Sequence, residues 1–227
     1  MNTMHIARLV AAKDLRIEWR SRVVTNQVLP FAALVMVMFA FALDNDTILP
    51  RVAPGLVWLA AMFSLLVLVQ RTFAVETADG ALDALRVAGV GPAGIFLGKA
   101  LALAVQLAVL EVMLLGAAVV LYRTELVAGG VVLLVTTYLA ATLGLAFVGT
   151  LYGGLAAGAK GRETLLPLLL LPVVAPVLIG ATRATEAALG TNDATPSEGW
   201  PWIGLLALFA VIFGAGGSLA FGSLIDE

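Results

Sequence analysis

Few side chains in this 227-residue sequence are equipped for chemistry, and their scarcity excludes most reaction classes. There is no cysteine, which removes disulfides, thiolate metal sites, thioether attachment of haem and thiol nucleophiles. His5 is the only histidine, too few for most imidazole-based metal or acid–base schemes. As an axial haem ligand it has no evident second shell. Iron commonly takes His or Met, but Met36, Met38, Met62 and Met113 are scattered through apolar runs, where packing is the ordinary use of a thioether. Glu111 is the only carboxylate deep inside an apolar run. In lipid such a group is costly and faces the interior of a helix bundle. Two readings of it stand: it lines a pathway or links to another subunit, or it is a protonated acid giving one hydrogen bond to a carbonyl. Gln106 stands five residues earlier, about 140° round a helix, so the two do not share a face. Protease or transferase chemistry needs a nucleophile with a base, or two close carboxylates, and neither pattern is present. Nothing matches G-x-x-x-x-G-K-[ST]; the nearest string, Gly158-Ala-Lys160-Gly161-Arg162, is too short and follows an apolar run instead of a strand. The sequence therefore predicts no catalytic residue, no metal site and no nucleotide site of its own.

The densest charged stretch between apolar runs reads Arg71-Thr-Phe-Ala-Val-Glu76-Thr-Ala-Asp79-Gly80-Ala-Leu82-Asp83-Ala-Leu85-Arg86. After Gly80, residues 81–87 can form a short helix with Leu82 and Leu85 on one face, flanked by Asp83 and Arg86. A helix of that length is unstable alone, so it needs a bilayer surface or a protein groove. Fixed to a membrane helix at each end, it can act as a mechanical lever. The plainer alternative is a solvated turn.

The elements that would position these residues are membrane spans. Hydrophobic residues make up 61% of the chain and charged ones 12%, against about 25% charged in an average soluble domain. A hydrocarbon layer of about 30 Å needs about 20 apolar residues, and the backbone within it must satisfy itself, which makes the spans helical. Six are expected: 24–43, 54–73, 95–121, 126–159, 164–182 and 200–224. The second opens at Pro54, a good first-turn residue. The fourth falls in a run too long for one upright helix and too short for two, so it reads as one long, tilted or Gly-broken helix. The fifth carries Pro167, Pro172 and Pro176, which allow either a kinked packing element or a broken helix beside a pathway. The run 183–199, rich in Asn, Thr, Pro, Ser and Gly, reads as a flexible outer connection. In the fourth span Gly149 and Gly153, and Gly154 and Gly158, have G-x-x-x-G spacing, read first as packing inside the bundle.

Orientation follows from Lys and Arg. With the N-terminus inside, inner segments hold ten (Arg8, Lys13, Arg16, Arg20, Arg22, Arg71, Arg86, Lys99, Lys160, Arg162) and outer segments three (Arg51, Arg123, Arg183). Both ends are therefore placed in the cytoplasm. Residues 1–22 carry recurring charges, unlike a cleaved signal peptide. They predict an amphipathic helix on the inner bilayer surface, with Lys13, Arg16 and Arg20 on one face and Met4, Ala11, Leu15 and Trp19 on another. It could be only an anchor, or a docking surface for a cytoplasmic partner. Basic runs with interleaved aromatics are absent, so no nucleic-acid partner is expected. The fold class is thus all-α integral membrane, a single domain over 1–227: six transmembrane helices, an N-terminal amphipathic interfacial helix and a short cytoplasmic helix between spans two and three, which the resemblance below implies to be the coupling helix of a permease.

The series Glu76…Asp79-Gly80-Ala-Leu82-x-x-Leu85, followed by Pro92 and Leu97-Gly98-Lys99, resembles the coupling-helix region of type-2 ABC transporter permeases. Three further segments are similar to one branch of that group, the haem exporter protein B (CcmB) family of cytochrome c maturation. They are Lys13-Asp14-Leu15-Arg16-x-Glu18-x-Arg20, Ala53-Pro54-Gly55-Leu56-Val57-Trp58, and Gly161-Arg162-Glu163-x-Leu165-Leu166-Pro167 continuing to Pro172 and Pro176. The Val87-Ala-Gly run departs from the Ser-Pro ending usual there. The resemblance implies a permease half in the bacterial inner membrane, coupled through Glu76, Asp79, Gly80, Leu82, Asp83, Leu85 and Arg86 to a separate cytoplasmic ABC ATPase (CcmA-like) that binds the ATP. It also implies a second permease copy, a haem-handling membrane protein, a haem chaperone, and haem as substrate in place of a resident cofactor. The function implied is haem export or haem-chaperone release for c-type cytochrome biogenesis. A permease for a drug or lipid, and a non-transporting membrane scaffold, are the alternatives.

Overall fold

The computed structural model describes residues 2–43, 45, 47–78, 89–124, 127, 129–157 and 162–225, without the side chains of 75–78, 162, 163, 224 and 225. Helix α1 spans Thr3–Ser21. Asn2 caps its start by accepting the Met4 N–H, and Arg22 ends it in the left-handed conformation. A wide π turn, Val24–Val28, then runs directly into α2, Leu29–Leu43. The remaining long helices are α3 (Leu49–Ala78), α4 (Pro92–Tyr122), α5 (Gly130–Ala157), α6 (Arg162–Leu189) and α7 (Pro196–Ile225), with a 3-10 turn at Thr191–Asp193. No strand occurs among the described residues. Six segments are long and apolar enough to cross a membrane: Val24–Leu43, Leu49–Ala74, Pro92–Tyr122, Gly130–Ala157, Thr164–Leu189 and Pro196–Ser223. The chain is an all-α integral membrane protein.

Helix ends differ from the sequence reading for identifiable reasons. The second span begins five residues before Pro54, because Asn45 acts as its cap: Asn45 Oδ1 accepts the N–H groups of Thr47 and Ile48 at 2.9 and 3.2 Å. The three prolines of the fifth span lie within one continuous helix. That helix also runs seven residues past 182, so the flexible connection expected over 183–199 is replaced by helix up to Leu189 and again from Pro196. Alanine drives the extension. Ala181, Ala184, Ala187 and Ala188 are all buried, and alanine is the strongest helix former. Arg183 and Glu186, read as loop charges, form an i,i+3 ion pair at 2.9 Å on this helix.

Helix α5 packs against α3, α4, α6 and α7, and glycine makes that possible. A Cβ on Gly149 would stand 2.9 Å from Leu65 and Val69 side chains, one on Gly153 2.5 Å from the Phe73 ring, and one on Gly154 2.6 Å from Phe221. The G-x-x-x-G spacing thus seats α5 inside the bundle; Gly158 lies outside the described residues.

The N-terminal helix is present and amphipathic, but what it buries differs from the expected stripe. Ile6, Ala7, Val10, Ala11 and Asp14 face inward, while Met4 and Trp19 are exposed. The buried stripe lies against α4, where a Cβ on Gly94 would meet Ile6 and one on Gly98 would meet Val10 and the Ala7 carbonyl, all within 2.6–2.7 Å. Rising residue numbers meet rising residue numbers, so α1 runs parallel to α4. Size separates the two faces: the seat is built from Gly, Ala and Val with Ile6, while Met4, Leu9, Ile17 and Trp19 are exposed. Lys13 stays partly exposed, and Arg16 and Arg20 are exposed.

Candidate functional site

Thirteen residues, 79–91, connect α3 to α4. Of the residues expected to couple to an ATPase, Asp79, Gly80, Leu82, Asp83, Leu85 and Arg86 lie outside the described residues, and Glu76 falls in the last turn of α3 with its side chain not described. The structure does describe the frame that holds the connection. Gly89 turns with φ of +69°. Pro92 opens α4, and the Gly91 carbonyl accepts the N–H groups of Gly94 and Ile95 at 3.0 and 3.3 Å.

Two turns into α4, Lys99 is 1% exposed. Its Nζ lies 3.3 Å from Asp14 Oδ2 on α1 and 5.1 Å from the centre of the Phe73 ring on α3. Lys13 Nζ stands 3.1 Å from the other oxygen of Asp14. A buried ammonium persists only with a counter-charge and donors satisfied, and the aromatic face adds attraction. The two arms of the connection and the N-terminal helix therefore meet at one buried cation. Phe73 in turn fills the space left by Gly153, which carries the contact on to α5. A second tie joins α1 to the first span: Glu18 Oε1 accepts the Val24 N–H at 2.6 Å, satisfying a donor that a helix start leaves open.

Glu111 occupies a separate cluster nearer the other end of the bundle and is 1% exposed. Thr142 Oγ1 on α5 hydrogen-bonds Glu111 Oε2 and also lies 2.6 Å from the Tyr138 carbonyl. Glu111 Oε1 and the Tyr138 hydroxyl are buried without a hydrogen-bond partner among the described residues. Tyr138 packs on Trp58, ring centres 5.0 Å apart, and the Trp58 indole donates to Thr185 Oγ1 at 2.9 Å. Polar groups from α3, α4, α5 and α6 are thus gathered inside the apolar bundle.

Across nearly the whole chain the sequence matches the family model described as CcmB protein, which covers residues 4–218, from α1 into α7. The chain belongs to the CcmB family. It is 31% identical to Heme exporter protein B of Rhodobacter capsulatus, over 83% of this chain and 87% of that protein. Heme exporter protein B of Paracoccus denitrificans is also 31% identical, over 81% and 84%. That of Pseudomonas aeruginosa is 28% identical, over 91% and 92%.

Within this CcmB chain, the surface residues Lys13, Arg16, Trp19 and Arg20 all belong to α1, and Lys13 reaches the frame through Asp14. Asp14 and Lys99 both stand in segments that carry the family resemblance, but 85 positions separate them and no local spacing pairs them. Glu111 and Gln106 point apart, as their spacing requires: Glu111 bonds to α5, and Gln106 lines cavities beside α1.

The bonding at Glu111 makes a prediction. The Thr142 hydroxyl has one hydrogen and two acceptors beside it. A group at position 111 that donates, with the Thr142 proton directed to the Tyr138 carbonyl, balances the set. Glu111→Gln can donate and is expected to keep the wild-type level in membranes and wild-type activity. Glu111→Leu loses the bond and should be destabilised by about 1–3 kcal/mol, read as a lower melting temperature in detergent. A Gln variant that folds fully but is inactive would show that an ionised carboxylate is used.

Proposed function

We propose that this chain is the permease subunit of an ABC transporter complex in the bacterial inner membrane, serving haem export or haem-chaperone release in c-type cytochrome biogenesis. The observation that carries the reading is the match of residues 4–218 to the CcmB family, with relatives of similar length named Heme exporter protein B. A separate cytoplasmic ATPase supplies the energy, and haem is substrate in place of a bound cofactor. Both ends of the chain face the cytoplasm, as the ten-to-three bias of Lys and Arg requires.

In this mechanism closure of the ATPase dimer pushes on residues 81–86, and the force enters α3 and α4. The buried contacts of Lys99 with Asp14 and Phe73 support a stiff response: the two spans and α1 move as a unit and do not splay apart. A second permease copy completes the pathway or lever pair, and a haem-handling membrane protein and haem chaperone receive the result.

Co-purification tests this. The chain expressed with its neighbouring ATPase and haem chaperone is expected to yield a complex whose ATP hydrolysis depends on the permease and responds to the chaperone. Purified chain that never retains an ATPase, across mild detergents and nanodiscs, would overturn the proposal.

A further inference from the structure

A groove of about 630 Å³ lies between α3 and α6 at the end of the bundle where α3 begins, within the range of about 300–1,000 Å³ usual for small-molecule sites. Register fixes its depth. The Asn192 side chain donates to the Arg51 carbonyl at 3.2 Å, so the start of α3 is level with the turn that follows α6. A Cβ on Gly55 would stand 3.8 Å from the Thr182 methyl, and the two helices, as the second and fifth spans, run antiparallel. Rising numbers on α3 and falling numbers on α6 therefore both lead inward from that end. Arg51 follows the first residue of its span, Leu49, by two positions, which sets it at headgroup depth. Val52, Leu56 and Leu59 continue inward from it, with Thr182 facing them. Arg51 to Leu59 is about 12 Å of helix, most of one leaflet of a hydrocarbon layer about 30 Å thick.

Two charges at the rim are unexplained. Arg51 and Asp193 are exposed, and neither has an ion-pair partner among the described residues. They do not pair with each other, although Asn192, next to Asp193, is bonded to the Arg51 carbonyl. Asn192 and Asp193 hold φ of 58° and 59°, a left-handed backbone in which Asn and Asp are enriched. Glu186, the carboxylate in the described lining, is already held by Arg183 at 2.9 Å. The rim thus presents one free cation and one free anion above an apolar trough.

We infer that the groove binds a phospholipid whose headgroup carries a primary ammonium, of the phosphatidylethanolamine type. Its phosphate pairs with the Arg51 guanidinium, and its ammonium, with three N–H donors, pairs with Asp193. An acyl chain lies along Val52, Leu56 and Leu59. Charge selects this occupant. An anionic headgroup leaves Asp193 without a cation, and a quaternary ammonium donates no hydrogen bond to it. Haem is disfavoured: its two carboxylates would meet one free cation, and the described lining holds no His, Met or Tyr to ligate iron. The site needs only the membrane-spanning fold; the orientation proposed above makes the outer leaflet its source. Any motion that parts α3 from α6 must then carry or displace this lipid.

Native mass spectrometry of the full chain, released from nanodiscs of equal parts phosphatidylethanolamine, phosphatidylcholine and phosphatidylglycerol, tests this. Wild type is expected to retain one phosphatidylethanolamine per chain, at least about five-fold above either other lipid, a difference of about 1 kcal/mol. Asp193→Asn keeps a residue suited to the left-handed backbone and should abolish that preference. Arg51→Gln should cut retention of all three lipids, and Leu56→Trp should fill the trough and prevent it. Leu208→Trp, on an exposed face of α7, should bind as wild type does. If Leu56→Trp fails to fold, the two rim variants decide. Equal retention of the three lipids by wild type overturns the inference, as does unchanged selectivity in Asp193→Asn or unchanged retention in Arg51→Gln. Lipid-free dimers with a second copy filling the groove, or haem held in the lipid's place, would overturn it too.

Discussion

Asp14→Leu is expected to unseat α1 from α4 and to destabilise the protein more than a change at an exposed position of the same helix. The carboxylate stands between Lys13 and Lys99, and Lys99 has almost no access to solvent. Removing one member of a buried ion pair costs about 3–5 kcal/mol, because the remaining charge must be accommodated. With about 2–4 °C per kcal/mol for a chain of this size, the melting temperature in detergent should fall by about 6–20 °C. Limited proteolysis should cut first within α1. Replacing both partners with apolar residues of similar volume is often neutral, so Asp14→Leu with Lys99→Met should recover most of the loss. If the single variant matches wild type in both assays, the Gly94 and Gly98 seat alone holds the helix and the ion pair is incidental.

The second large effect concerns transmission. Reversing Glu76, Asp79 and Asp83 to Lys should leave the spans inserted, since in the sequence these positions fall in the charged stretch between two apolar runs, yet disconnect ATP hydrolysis from output. Like charges brought together at an interface cost several kcal/mol, so assembly of c-type cytochromes should fall by more than about ten-fold, the equivalent of about 1.4 kcal/mol. ATPase activity of the complex should continue or lose its dependence on the haem chaperone. Normal cytochrome c levels in the triple variant would remove residues 76–86 from the path of force.

Much of the architecture was legible because bilayer thickness imposes a length that a run of apolar residues displays openly. The capping role of Asn45 was less visible: Asp44-Asn45-Asp46 reads as a turn, and only the structure shows Asn45 starting the next helix. The end of α6 was read as loop because Arg183, Glu186 and the threonines mask an alanine face that packs. Contacts were hardest to foresee. The seat of α1 is made from Gly, Ala, Val and Ile, residues so common in membrane helices that no pattern singles them out. Asp14 and Lys99 meet only through tertiary structure. Glu111 was conspicuous as a carboxylate among apolar neighbours, but its partner Thr142 was not, because a threonine in a membrane helix ordinarily bonds its own backbone, as Thr136 and Thr137 do here.

The parallel docking of α1 on α4 sets an order of events at the ribosome. Asp14 is translated 85 residues before Lys99, an interval of about 4–17 s at synthesis rates of about 5–20 residues per second. For those seconds the nascent N-terminal helix has no protein seat and two later spans are still entering the translocon. Its outward cations and Trp19 suit a bilayer surface, so the exposed side of α1 can serve the chain while it is being made.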